Sequence, residues 1–213
     1  MMRIFVIMMC LAIVAPCFGD LISAKRTIAY QGDTEAQYDL GVIYNNGEGI
    51  RQDYKKAMEW FRLAADQGYA PAQYNMGVMY AAGQGARQDF REAMKWSRLA
   101  ADQGDSLAQY NVGAMYAEGI GAAQDYREAM TWFQRAADQG HSIAQYNVGV
   151  MYDQGIGTAK NHVLAHMWYS IGATSGHVKA KGSLDQLADN MTLEHISMAQ
   201  QMASEWLAAH PSI

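Results

Sequence analysis

The chain is 213 residues long, half of them apolar, with a formal net charge of −5 from 16 Lys and Arg against 21 Asp and Glu. That is enough chain for one domain with a sizeable core, and an acidic balance without a basic run excludes nucleic acid as a partner. Both cysteines, Cys10 and Cys17, fall near the N-terminus, so the chain beyond them can form no disulfide, thiolate nucleophile or cysteine zinc site.

Residues 1–19 read as an export signal. Arg3 supplies the positive start, Ile4 to Ala15 form an uncharged apolar run, and Cys17 and Gly19 place small side chains before a cut at Asp20. A lipoprotein-type cut before Cys17 would leave Pro16 just ahead of it. The apolar run has 12 residues, short of the roughly 20 that a spanning helix needs. No later run is long enough, so no transmembrane segment is expected in the mature chain, which is placed in the periplasm or outside the cell.

From residue 34 the sequence repeats with a period of 36 and no gap. The shift aligns Gln37, Gln73, Gln109 and Gln145; Gly41, Gly77, Gly113 and Gly149; and Trp60, Trp96, Trp132 and Trp168. The units are 34–69, 70–105, 106–141 and 142–176, preceded by a partial unit at 20–33 and followed by capping helices at 177–213. A period in this range means stacked supersecondary units.

Each unit reads as two helices. In the first, helix A covers 35–46 and gathers Ala36, Leu40 and Ile43 on one side, flanked by Gln37, Gly41 and Tyr44. Helix B covers 54–67 and buries Ala57, Trp60, Phe61 and Ala64. Small residues let the helices approach, and the tryptophan fills the remaining volume. The glycines of "GEGIRQDY" at 47–54 fall where helix A must end, and Asp53 falls at the helix B N-cap. Asp89 with Glu92, and Asp125 with Glu128, have capping-box spacing. A phosphate-cradling loop wants a preceding strand and further glycine or Gly-Lys-Ser/Thr signals, which are absent.

The unit at 72–104, with its Ala-Gln opening, Gly-x-x-Tyr in helix A, Gly-x-Gly turn, Asp-aromatic start of helix B, Ala-x-x-Trp and closing Ala-Ala-x-x-Gly, resembles a Sel-one-like repeat of the tetratricopeptide superfamily. The last unit departs most, with Asn161 and His162 in place of Asp-aromatic. The segment at 189–210 resembles the terminal helix that closes bacterial members, with Ile196, Ala199, Met202, Ala203, Trp206 and Leu207 on one side. The resemblance implies an all-α fold, a right-handed α-solenoid of about four helix-turn-helix repeats with a C-terminal cap. It implies a protein-interaction scaffold, with exported bacterial members that bind proteins or regulate envelope signalling. Cysteine-rich relatives described as β-lactamase-like carry a disulfide in each repeat, which this chain cannot make.

Several signals tempt toward chemistry. "GDSL" at 104–107 spells a lipase signature, but Ser106 aligns with Ala70 and Ser142 in a repeat that has no strand. His162 and His166 have metal-ligand spacing without the glutamate of H-E-x-x-H, and they occupy the positions of Tyr54 and Met58. Met58, Met94 and Met130 recur at the repeat period, as packing methionines would. No Ser-x-x-Lys occurs. The chain is therefore expected to be no enzyme and to need no cofactor or metal.

Binding is expected on the outer arc of the A helices, on the concave side of the stack. That arc reads Tyr38, Tyr74, Tyr110 and Tyr146, beside Asp39, Asn75, Asn111 and Asn147, over Val42, Val78, Ala114 and Val150. Tyrosines give flat contact area, and asparagine amides can pair with the backbone of an extended peptide. The alternative is that these constant positions serve the stack itself, in which case Asn45, Glu118 and Asp153 in the varying row set specificity. The function expected is an exported scaffold in envelope regulation that holds another protein or an extended peptide. The alternatives are a secreted host-interacting factor and, in a different class, a secreted hydrolase of β-lactamase type, for which no nucleophile–base constellation is present.

Overall fold

The computed structural model describes residues 18–211. The expected export signal lies outside the described residues, apart from Phe18 and Gly19 at the start of the first helix. Eleven helices and no strand are formed among the described residues. They are α1 (Phe18–Tyr30), α2 (Thr34–Asn46), α3 (Tyr54–Asp66), α4 (Ala70–Ala82), α5 (Phe90–Asp102), α6 (Ser106–Glu118), α7 (Tyr126–Asp138), α8 (Ser142–Gln154), α9 (His162–Thr174), α10 (Val178–Ala188) and α11 (Leu193–Ala209). Helices α2, α4, α6 and α8 are the A helices, each packed on the B helix that follows and on the one before. The product is an all-α solenoid. Helices α10 and α11 both pack on α9 and close its C-terminal end.

The caps decide where helices start and stop. Helix α2 begins at Thr34 because the Asp33 carboxylate accepts the Ala36 N–H at 2.7 Å. Each B helix is capped in the same way by Asp53, Asp89, Asp125 or Asn161. The reciprocal half of the capping box is not made. The Asp89 N–H donates to the Tyr80 carbonyl at 3.0 Å, and Glu92 instead lies 3.5 Å from Lys95.

The two glycines of each turn do different work. Gly119 ends α6 in the left-handed conformation, with φ 68°. Gly121 is also left-handed, with φ 74°, and a Cβ there would strike the Phe90 carbonyl at the start of the preceding B helix. Gly85 and Gly157 meet the Tyr54 and Tyr126 carbonyls likewise. The Gly-x-Gly turn thus both ends a helix and clasps neighbouring repeats.

Within each repeat the two helices pack closely. Gly113 allows α6 to meet α7: a Cβ there would lie 2.7 Å from the Phe133 ring, and one at Gly149 would lie 2.6 Å from the Tyr169 ring. Trp60, Trp96, Trp132 and Trp168 are all buried. The buried Gln73, Gln109 and Gln145 side chains donate to the carbonyls of Ala65, Ala101 and Ala137 on the preceding B helix, at 3.1, 3.2 and 3.2 Å. A second set of glutamines completes the pattern. Gln67, Gln103 and Gln139 donate to the Oε1 of Gln37, Gln73 and Gln109 at 2.8, 2.7 and 2.7 Å. Arg26 and Arg98 reach the hydroxyls of Tyr44 and Tyr116 at 3.0 and 2.8 Å, so each bridges a B helix to the next unit.

Candidate protein-binding face

The outer arcs of α2, α4, α6 and α8 carry the expected rows. Tyr38, Tyr74, Tyr110 and Tyr146 are all half-buried. Their rings pack on the stack. Tyr38 meets Phe61 at 5.7 Å and Tyr69 edge-on at 5.2 Å. Tyr110 stacks on His141 at 4.7 Å, and Tyr146 stacks on His177 at 4.4 Å. Tyr69, His141 and His177 are the N-cap residues of α4, α8 and α10, each 31 positions along the chain from its tyrosine. One face of the tyrosine is therefore structural, and its remaining exposed surface is what a ligand can meet. Burial raises the pKa of Tyr74, and burial with the nearby Asp153 carboxylate raises that of Tyr169.

The neighbouring row is not uniform. Asp39 pairs with Lys25 of α1. The Asn75 amide donates to its own helix, to the Pro71 carbonyl at 3.0 Å. Asn111 lies beside the Tyr74 hydroxyl of the preceding unit. Asn147 is half-exposed and its side-chain amide makes no hydrogen bond among the described residues. In the varying row, Asn45 donates to Asn46 at 3.0 Å. Glu118 is exposed and is in no ion pair among the described residues, while Asp153 lies 3.6 Å from His162 Nε2.

Between α4, α5 and α6 the same face holds a cavity of about 430 Å³ whose walls include Val78, Ala114 and Phe90, with Asn111 and Glu118 beside them. Two hollows of about 840 and 830 Å³ lie instead at the Gly-x-Gly turns. There the B-helix N-termini are already met by carboxylates. The Lys56 backbone N–H holds the Asp53 carboxyl below its usual pKa, so the place an anion would take is filled by the chain's own anion.

The residues that tempted toward chemistry take structural places. Ser106 is the first residue of α6. His166 is buried at 3% exposure and its pKa is lowered by burial. No group of three or more His, Cys, Asp or Glu side chains converges to hold a metal ion among the described residues. No helix there is long and apolar enough to cross a membrane.

Residues 34–69, 70–105, 106–141 and 142–177 each match the model of the Sel1 repeat. The chain belongs to the Sel1 repeat family. The crystal structure of c5321, a protective antigen of uropathogenic Escherichia coli strains with an SLR fold, is similar at 37% identity and a TM-score of 0.79. That match covers 87% of this chain and 41% of the other, so the chain spans about two-fifths of that protein's length. A Sel1 repeat protein from Oxalobacter formigenes is similar at 30% identity and a TM-score of 0.75, over 88% of this chain and 82% of the other. An immunity protein of Pseudomonas aeruginosa, PA5088, shares the fold at 18% identity and a TM-score of 0.51, over 95% of this chain and 78% of the other. No curated protein matches the chain. Sel1 repeats typically mediate protein–protein interaction.

Proposed function

We propose that this Sel1 repeat chain is an exported, non-catalytic scaffold that holds another protein through the outer arc of its A helices, on the concave side of the stack, in regulation of the cell envelope. One observation carries the reading. Half-exposed tyrosines recur on one face of the four A helices, with an asparagine beside three of them, and the Asn147 side-chain amide makes no hydrogen bond among the described residues. Such a row presents aromatic area and paired donors and acceptors to an extended backbone. The export part rests on the pattern at 1–19.

A second reading is favoured by a different observation. Its similarity to c5321, described as a protective antigen, supports a surface or secreted factor that meets a host protein. Fractionation separates the two readings: recovery from the periplasm supports the envelope regulator, and recovery from the medium supports the host-facing factor. Recovery from the cytoplasm with residues 1–19 intact contradicts both.

A further inference from the structure

The cavity between α4, α5 and α6 arises where the second and third repeats depart from the others in side-chain size. Position 97 is Ser where the equivalent residues are Phe61, Phe133 and Tyr169. In those repeats a buried ring lies against the facing glycine: Phe61 on Gly41, Phe133 on Gly113 and Tyr169 on Gly149. In the second repeat the atoms nearest a Cβ at Gly77 are the Ser97 hydroxyl and the α5 backbone, with no ring among them. Position 114 is Ala where the other repeats carry Val42, Val78 and Val150. Phe90 stands where Tyr54 and Tyr126 carry a hydroxyl. These three changes all remove bulk or polarity from one spot. Gly77, Ser97, Phe90 and Ala114 all line the cavity.

We propose that this cavity is a specificity pocket for an aromatic side chain of an extended partner peptide, with Glu118 receiving a basic side chain next to it. The inference rests on the reading that the A-helix arc binds protein, and names the partner chemistry. The size suits a ring: about 430 Å³ lies within the roughly 300–1,000 Å³ of ligand pockets. The chemistry suits it as well, since the sibling repeats fill this position with aromatic rings of their own. Glu118 sits at the rim, exposed and in no ion pair among the described residues, so a cation beside the ring gains a partner and an anion is repelled. Asn111, also on the wall, can pair with the peptide backbone through its amide.

The test is titration of the isotope-labelled protein with N-acetyl-Phe-Arg-amide and N-acetyl-Phe-Glu-amide, read by NMR. The expected result is movement of the Ala81 and Ala114 methyl signals. The Arg peptide binds roughly two- to five-fold tighter than the Glu peptide, in keeping with one exposed ion pair, and Glu118→Gln removes the preference. Ser97→Phe and Ala114→Val give each position the residue of its sibling repeats, and either weakens the Arg peptide at least tenfold. Ala114→Val keeps the test sound should Ser97→Phe fail to fold. Unmoved methyls, or equal affinity in both folded variants and wild type, overturn the pocket. Shifts confined to Asn147 and Asp153 also overturn it, while leaving the broader A-helix binding face standing.

Discussion

The Gln145 Oε1 is buried without a hydrogen-bond partner among the described residues, and Ser175 stands where a donor to it belongs. One repeat earlier, Gln139 donates to Gln109 Oε1 at 2.7 Å, and the same bond joins Gln103 to Gln73. Residue 175 is the next position in that register, and serine is too short to span the gap. The glutamine series that ties each unit to the next therefore breaks at the fourth repeat, where the regular stack ends.

Ser175→Gln should complete the series and stabilise the protein. A buried acceptor left unpaired costs about 1–3 kcal/mol. Part of that is offset by the entropy of ordering the new side chain, so a net gain of about 1 kcal/mol is expected. In a chain of this size that appears as a melting temperature raised by roughly 2–4 °C. An unchanged or lowered value would show that Gln145 Oε1 is satisfied in another way.

Gly121→Ala and Gly140→Ala separate the two duties of a turn glycine. Both residues have positive φ, 74° and 84°, so each alanine incurs the left-handed penalty of about 1–2 kcal/mol. Nothing lies within 4 Å of a Cβ at Gly140, whereas one at Gly121 strikes the Phe90 carbonyl. Denaturant titration should find Gly121→Ala the more damaging by about 1–3 kcal/mol, the cost of overpacking. Equal losses would mean that the turn does not clasp the preceding repeat.

Acid should loosen one end of the solenoid. All six histidines lie at or beyond residue 141. Burial lowers the pKa of His141, His166 and His177 below the ordinary imidazole value of 6.5, with Lys179 adding to the effect at His177. His141 Nδ1 accepts the Ala144 N–H at 3.2 Å, a bond that protonation removes. With folded values below the unfolded one, the native state holds fewer protons. Its stability is fully present above about pH 6.5 and falls as pH drops through the lowered folded values. Hydrogen exchange at pH 7.5 and 5.5 should show α8 to α11 losing protection while α2 to α5 keep theirs. His141→Asp, which copies the Asp105 cap, should reduce the loss near α8. Equal loss along the whole chain would contradict this assignment.

The period of 36, the helix pairs and the capping positions were legible in the sequence, because each is a local rule repeated four times. Asp53 at an N-cap and Gly47 at a C-cap follow from chain chemistry alone. What was not legible joins residues that are distant in sequence. The Asp89 spacing to Glu92 suggested a reciprocal capping box, yet the Asp89 N–H is taken by the Tyr80 carbonyl across the turn. The tyrosine row read as a free surface or as packing. In the structure it is both, since residues 31 positions on supply rings against Tyr38, Tyr110 and Tyr146. Ser97 stands where the other repeats carry an aromatic ring, and its consequence depends on the facing glycine 20 positions away, which no local rule names.

The central claim is that a partner is held by the A-helix arc. Its most direct test is affinity capture from envelope extract by the protein and by an Asn111→Ala/Asn147→Ala variant, with circular dichroism confirming equal helicity. Both asparagines are half-exposed, so their truncation should leave the stack intact. The account predicts a protein retained by the wild type and lost, or at least tenfold reduced, with the variant. A partner retained equally by both would place the binding surface elsewhere and contradict it.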